Sequence, residues 1–173
     1  MKKFFLLLAA LSMALGLVAC SSNDKEQSEQ NEATVTKVDT KKELVKFYMD
    51  LGNKINAKDT DLNAYMAKAT KEDAKPEELP TVEDQAKASE SAAAVATELN
   101  NIQIPAELKD QKTDLEAALK DYAASYQMKA DELKKETPVL DAGDDSFAQG
   151  EEKLGKVYES VKLLPPSLGK QVN

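Results

Sequence analysis

The stretch from Pro105 to Pro138, PAELKDQKTDLEAALKDYAASYQMKADELKKETP, decides the fold. Leu108, Leu115, Leu119, Tyr122, Tyr126, Ala130 and Leu133 recur at spacings of seven, four, three, four, four and three. That period puts them on one side of an α-helix starting near Pro105 or Ala106. Lys134 and Lys135 suit the negative end of the helix dipole, and Pro138 stops the element.

Working outward, a loop with Asp141, Gly143, Asp144 and Asp145 leads to Ser146 and Gln149, which have capping-box spacing. Phe147, Leu154, Tyr158, Val161 and Leu164 continue as a stripe that Pro165-Pro166 ends. Gly150 and Gly155 weaken this helix by about 1 kcal/mol each relative to Ala. On the other side, Thr81 with Asp84 opens a helix whose face is Ala88, Ala92, Val95, Leu99 and Ile102. Six alanines between Ala86 and Ala96 give it a thin apolar stripe and let a neighbour approach closely. Earlier still, Leu44, Tyr48, Leu51, Ile55, Leu62, Met66 and Ala69 form a face behind a Thr40 to Glu43 capping box. Asp59-Thr60-Asp61 marks a kink or a second cap, and a connector with Pro76 and Pro80 follows. No β-type alternation of useful length occurs. The pattern predicts an all-α, antiparallel up-down-up-down bundle of four helices over residues 40–173, with three helices and a loosely attached fourth segment as the alternative.

Of 173 residues, 42% are apolar, 31% charged and 5% aromatic, with 23 Lys and no Arg against 31 acids. The net charge of −8 argues against a nucleic-acid partner, since phosphate contacts need a cationic surplus. Without Arg there is no planar guanidinium for bidentate carboxylate or phosphate capture. The absence of His removes Ser-His-Asp and Cys-His catalysis and His metal sites, and a single Cys removes intrachain disulfides and Cys-cluster zinc. No cofactor is implied.

Met1-Lys2-Lys3 precedes an apolar run from Phe4 to Ala19, which has signal-peptide length and is short for a membrane span. It ends in Leu17-Val18-Ala19-Cys20, where the composition turns polar. These four residues resemble the lipobox of bacterial lipoprotein precursors. The resemblance implies cleavage between Ala19 and Cys20, acylation of the Cys20 thiol, and anchorage by lipid on the outer face of the cell membrane. Residues 1–19 are then the signal peptide. Residues 20–39, rich in Ser, Glu, Gln and Asn, are expected to be a disordered tether reaching roughly 20 to 25 Å. The 154 residues from Cys20 on carry a formal charge of −10, so acyl chains rather than electrostatics must hold them at an anionic membrane. The mature part also resembles the small all-helical lipoproteins of low-GC Gram-positive bacteria, some of them described as cell-wall-binding. That likeness rests on the lipobox, the tether, the periodicity and the stretch Ile102-Gln103-Ile104-Pro105-Ala106-Glu107-Leu108-Lys109.

Ser22 to Lys25 and Ser167 to Lys170 match the Ser-x-x-Lys nucleophile motif, but one lies in the expected tether and the other after the last prolines. Asp141, Asp144, Asp145, Glu151 and Glu152 gather oxygen ligands near Gly143 without EF-hand spacing, so turn and cap roles outweigh a weak calcium contact. Tyr122 and Tyr126, four residues apart, are read first as core and second as a ligand groove beside the alanine-rich helix. The expected function is non-enzymatic binding of an envelope protein, with cell-wall glycan binding as the alternative and a lipid-anchored hydrolase third.

Overall fold

The computed structural model describes the backbone of residues 24–172 and the side chains of residues 39–172. Residues 1–19, expected to be a signal peptide, and Cys20 lie outside the described residues. Five helices follow one another: α1 (Asp24–Asn56), α2 (Thr60–Ala69), α3 (Val82–Asn101), α4 (Lys112–Glu132) and α5 (Asp144–Ser160). No strand occurs among the described residues. From Thr36 on the described residues form one compact unit, which holds the bundle.

The architecture is the expected antiparallel bundle with its first rod broken. α3 runs back along both α1 and α2, since Lys68 Nζ meets Asp84 Oδ2 at 2.9 Å and Lys54 Nζ meets Glu98 Oε1 at 2.5 Å. α4 reverses again, with the Ser89 hydroxyl donating to the Ala130 carbonyl at 2.7 Å. α5 returns along α4 through Lys129–Asp144 and Lys153–Asp121 pairs, and the Tyr158 hydroxyl donates to the Leu44 carbonyl at 2.6 Å to close the ring on α1. The fourth rod is thus integral to the bundle. Leu44, Leu51, Ile55, Leu99, Leu108, Leu115 and Leu154 are all at most 1% exposed and form the core. Ala88, Ala92, Ala96, Ala123 and Ala130 are buried as well, which is why α3 and α4 approach closely.

The break at Ala57–Asp59 is stitched from outside. Ser91 on α3 donates its hydroxyl to the Lys58 carbonyl at 2.5 Å and accepts from the Leu62 N–H at 3.3 Å, satisfying groups that a helix interruption frees. Thr81 caps α3 as expected: its hydroxyl accepts from the Asp84 N–H at 3.1 Å and Asp84 accepts from the Thr81 N–H at 2.9 Å. The Thr81 N–H, with Lys68 and the Thr81 hydroxyl, lowers the Asp84 pKa to about 2.

Four boundaries differ from expectation. Residues 24–39, expected as an unstructured tether, are helical, and Thr40 lies inside α1 rather than capping it. From Ser21 to Leu51 there is no Gly or Pro, and the Glu, Gln, Lys and Ala content lets a helix nucleated in the bundle propagate without a new nucleation cost. α4 starts at Lys112, because Pro105 introduces a separate 3₁₀ turn at Ala106–Leu108. α5 is capped by Gly143 rather than Ser146. Gly143 has φ +88°, and a Cβ there would stand 2.5 Å from the Ser125 carbonyl oxygen, so only Gly fits. After Pro165-Pro166 the chain does not trail away: Leu168 is fully buried and Val172 is 8% exposed, with a 3₁₀ turn at Leu168–Lys170 between them.

Candidate functional site: a groove beside α1

Tyr122 and Tyr126 do not line a groove. Their side chains are 0% and 5% exposed, and both rings pack edge-on against Phe147 at centroid distances of 5.0 and 6.4 Å. Desolvation raises both hydroxyl pKa values, for Tyr122 with the further repulsion of Glu151, so each stays a neutral donor. Tyr65 and Tyr158 are buried too, and Tyr48 and Phe147 are half-buried. A sugar could stack on the α4 pair only after the core opened.

The acidic loop is equally dispersed. Asp141, Asp144 and Asp145 are exposed, and Asp144 pairs with Lys129 at 2.6 Å. Among the described residues no group of three or more His, Cys, Asp or Glu side chains is placed to hold a metal ion. The Ser167 carbonyl accepts from the Tyr48 hydroxyl at 2.8 Å, and Lys170 is exposed. Ser22 lies outside the described residues.

One concave surface combines an apolar floor with a charged rim. It runs between α1 and the connector after α3, lined by Phe47 and Leu51 below, Ile102 and Pro105 on the far wall, and Glu43, Lys46, Asp50 and Lys54 along the edge. The α1 spacing explains the division of labour. Phe47, Leu51 and Ile55 face the bundle, whereas Lys46, Asp50 and Lys54 repeat every four residues one position away and remain at the surface. Lys46 bonds Glu43 at 3.2 Å and Lys54 reaches Glu98, so three of the four rim charges are paired but hydrated, contributing little to stability and remaining open to exchange of partners. Pro105 holds the connector extended, which brings Ile102 to the wall. The wall thus includes the first part of the 102–109 stretch singled out in the sequence. Val45 and Met49, each about half exposed, continue an apolar surface on α1 next to it.

Asp59, expected at a kink or second cap, does sit at the N-cap position of α2, but nothing in the sequence signals that it is only 3% exposed there. Desolvation raises its pKa, and its hydrogen bonds to Asn63 and to its own backbone only partly offset that. A carboxyl whose folded pKa is raised costs stability once it ionises, so its cost is absent below the unfolded value and appears as pH rises through the folded one. Asp59→Asn is therefore expected to raise the melting temperature by a few degrees at pH 7, with the difference from wild type vanishing near pH 3. Thermal melts of the two proteins across that range would check it, and a variant less stable at pH 7 would show that the charge is needed.

No helix among the described residues is long and apolar enough to cross a membrane. No family model, curated protein or solved structure compared with the chain matches it.

Proposed function

We propose that the chain is a lipid-anchored, non-enzymatic binding module on the outer face of a bacterial cell membrane, and that its partner is another protein of the envelope. The observation that carries the binding half is the groove walled by the half-buried Ile102 and Pro105 over the buried Phe47 and Leu51, with Val45 and Met49 about half exposed beside it and a rim of two acids and two lysines. An apolar floor with a mostly paired, hydrated rim is the composition of a protein-recognition surface, with the apolar part supplying energy and the charges supplying register. The burial of Tyr122 and Tyr126 favours this over the glycan reading, because no ring on α4 is free to stack. The lipobox Leu17-Val18-Ala19-Cys20 carries the anchoring half.

Fatty-acid label is expected to enter wild type and not Cys20→Ala, which should also remain uncleaved; equal labelling would remove the anchor. Chemical cross-linking at the cell surface should then recover a protein with a cationic patch, drawn by the −10 charge of the mature chain. That binding is expected to weaken as salt rises from about 0.05 to 0.5 M, where the Debye length falls from roughly 14 to 4 Å. Salt-insensitive co-sedimentation with purified cell wall would favour the glycan reading instead.

A further inference from the structure

The segment Pro165–Val172 lies against α1 and α5, and its close hydrogen bonds to them run through its main chain. Glu151 Oε1 accepts from the Leu168 N–H at 2.6 Å and the Gly169 N–H at 3.3 Å. The Tyr48 hydroxyl donates to the Ser167 carbonyl at 2.8 Å, and Asn56 Nδ2 donates to the Gln171 carbonyl at 3.0 Å. Such bonds are indifferent to side-chain identity. What the segment's own sequence adds is the Leu168 anchor, fully buried, and Val172 behind it. Main-chain hydrogen bonds for affinity and an apolar pocket for selectivity are how proteins recognise peptide segments, and here both act on the 3₁₀ turn at Leu168–Lys170.

We infer that this cleft is a peptide-recognition slot, filled in cis by residues 165–172 and able to accept an acid-free segment of a partner protein that presents a leucine-type anchor on the same kind of 3₁₀ turn. Charge supports the occupant. The chain has 31 acids, yet none between Val161 and Val172, where Lys162 and Lys170 are the charged residues. The segment laid beside the Glu151 carboxylate is thus free of the repulsion that a typical stretch of this chain would bring. Its attachment supports exchange. Lys162, at φ +61°, and Pro165-Pro166 separate it from α5, so it can lift without unwinding a helix.

This inference rests on the reading of the bundle as a protein-binding module, but its test does not need the partner. A fluorescent peptide of residues 163–173 is titrated against the full chain as wild type and as Leu168→Asp, which ejects the cis segment. The peptide should bind the variant at least tenfold more tightly than wild type, and the same peptide carrying Leu168→Asp should not bind. Equal binding to both chains, or none to a variant that still melts cooperatively, would overturn the slot. Should the variant fail to fold, hydrogen exchange of wild type decides: Leu168 and Gly169 amides exchanging while α4 stays protected supports release, and exchange only together with α4 refutes it. Failure here would leave lipid anchoring and the α1 groove standing, since those are read by labelling and cross-linking.

Discussion

Tyr122→Ala is expected to lower stability by about 3 to 5 kcal/mol, the usual cost of truncating a buried aromatic ring. The side chain is 0% exposed, packs edge-on at 5.0 Å from Phe147, and lies against the bare Cα of Gly150. Its hydroxyl donates to Glu151 at 3.2 Å, the carboxylate that also holds the C-terminal segment. Removing the ring therefore empties the contact between α4 and α5 and loosens the support of the segment at once. For a domain of this size the melting temperature should fall by more than about 10 °C. Tyr122→Phe keeps the ring and loses only the hydrogen bond, about 1 kcal/mol, because Glu151 retains the two N–H donors. Melting curves followed by circular dichroism would measure both. A Tyr122→Ala protein within about 1 kcal/mol of wild type would mean that the ring is peripheral, and would reopen the sugar-stacking groove. The same burial means that loss of glycan binding in such a variant would report unfolding rather than a lost contact.

The four apolar stripes were legible because each follows a helical period over three or more turns, except that the fourth stripe overruns its helix: α5 stops at Ser160 and Leu164 is 88% exposed. Thr81 with Asp84 was legible because a capping box is a local arrangement of two side chains three residues apart. What escaped were devices made between distant segments. Ser91 reads as one more small residue in an alanine-rich helix, and only the fold brings it to the Lys58 carbonyl. Leu168 is a lone apolar residue after two prolines, with no period to betray burial. The signal available for it was the acid-free run from Val161 to Val172, which composition by window would have shown. Tyr122 and Tyr126 show the other side of the problem. Periodicity places them on the inner face, but a ligand groove and a core share that face, and burial alone separates the two. The groove beside α1 was half legible, since the 102–109 stretch stood out without any indication of what it faces.

The two glycines of α5, each expected to weaken the helix, should respond to alanine with opposite signs. In a helix interior Gly→Ala gains about 1 kcal/mol from reduced backbone freedom in the unfolded chain and better propensity. At Gly155 the new Cβ would meet Pro165 at 3.4 Å, an ordinary contact, so the gain should survive and raise the melting temperature by a few degrees. At Gly150 the Cβ would stand 2.8 Å from two atoms of the Tyr122 ring. That ring has nowhere to retreat, with Phe147 against it and its hydroxyl tied to Glu151. Overpacking of this kind costs about 1 to 3 kcal/mol, which exceeds the propensity gain over most of that range. Gly150→Ala should therefore melt several degrees below wild type while Gly155→Ala melts above it. If both variants were stabilised, α4 and α5 would be less closely packed than the Tyr122 geometry requires, and the weak helix expected from the sequence would need no compensating contact to explain it.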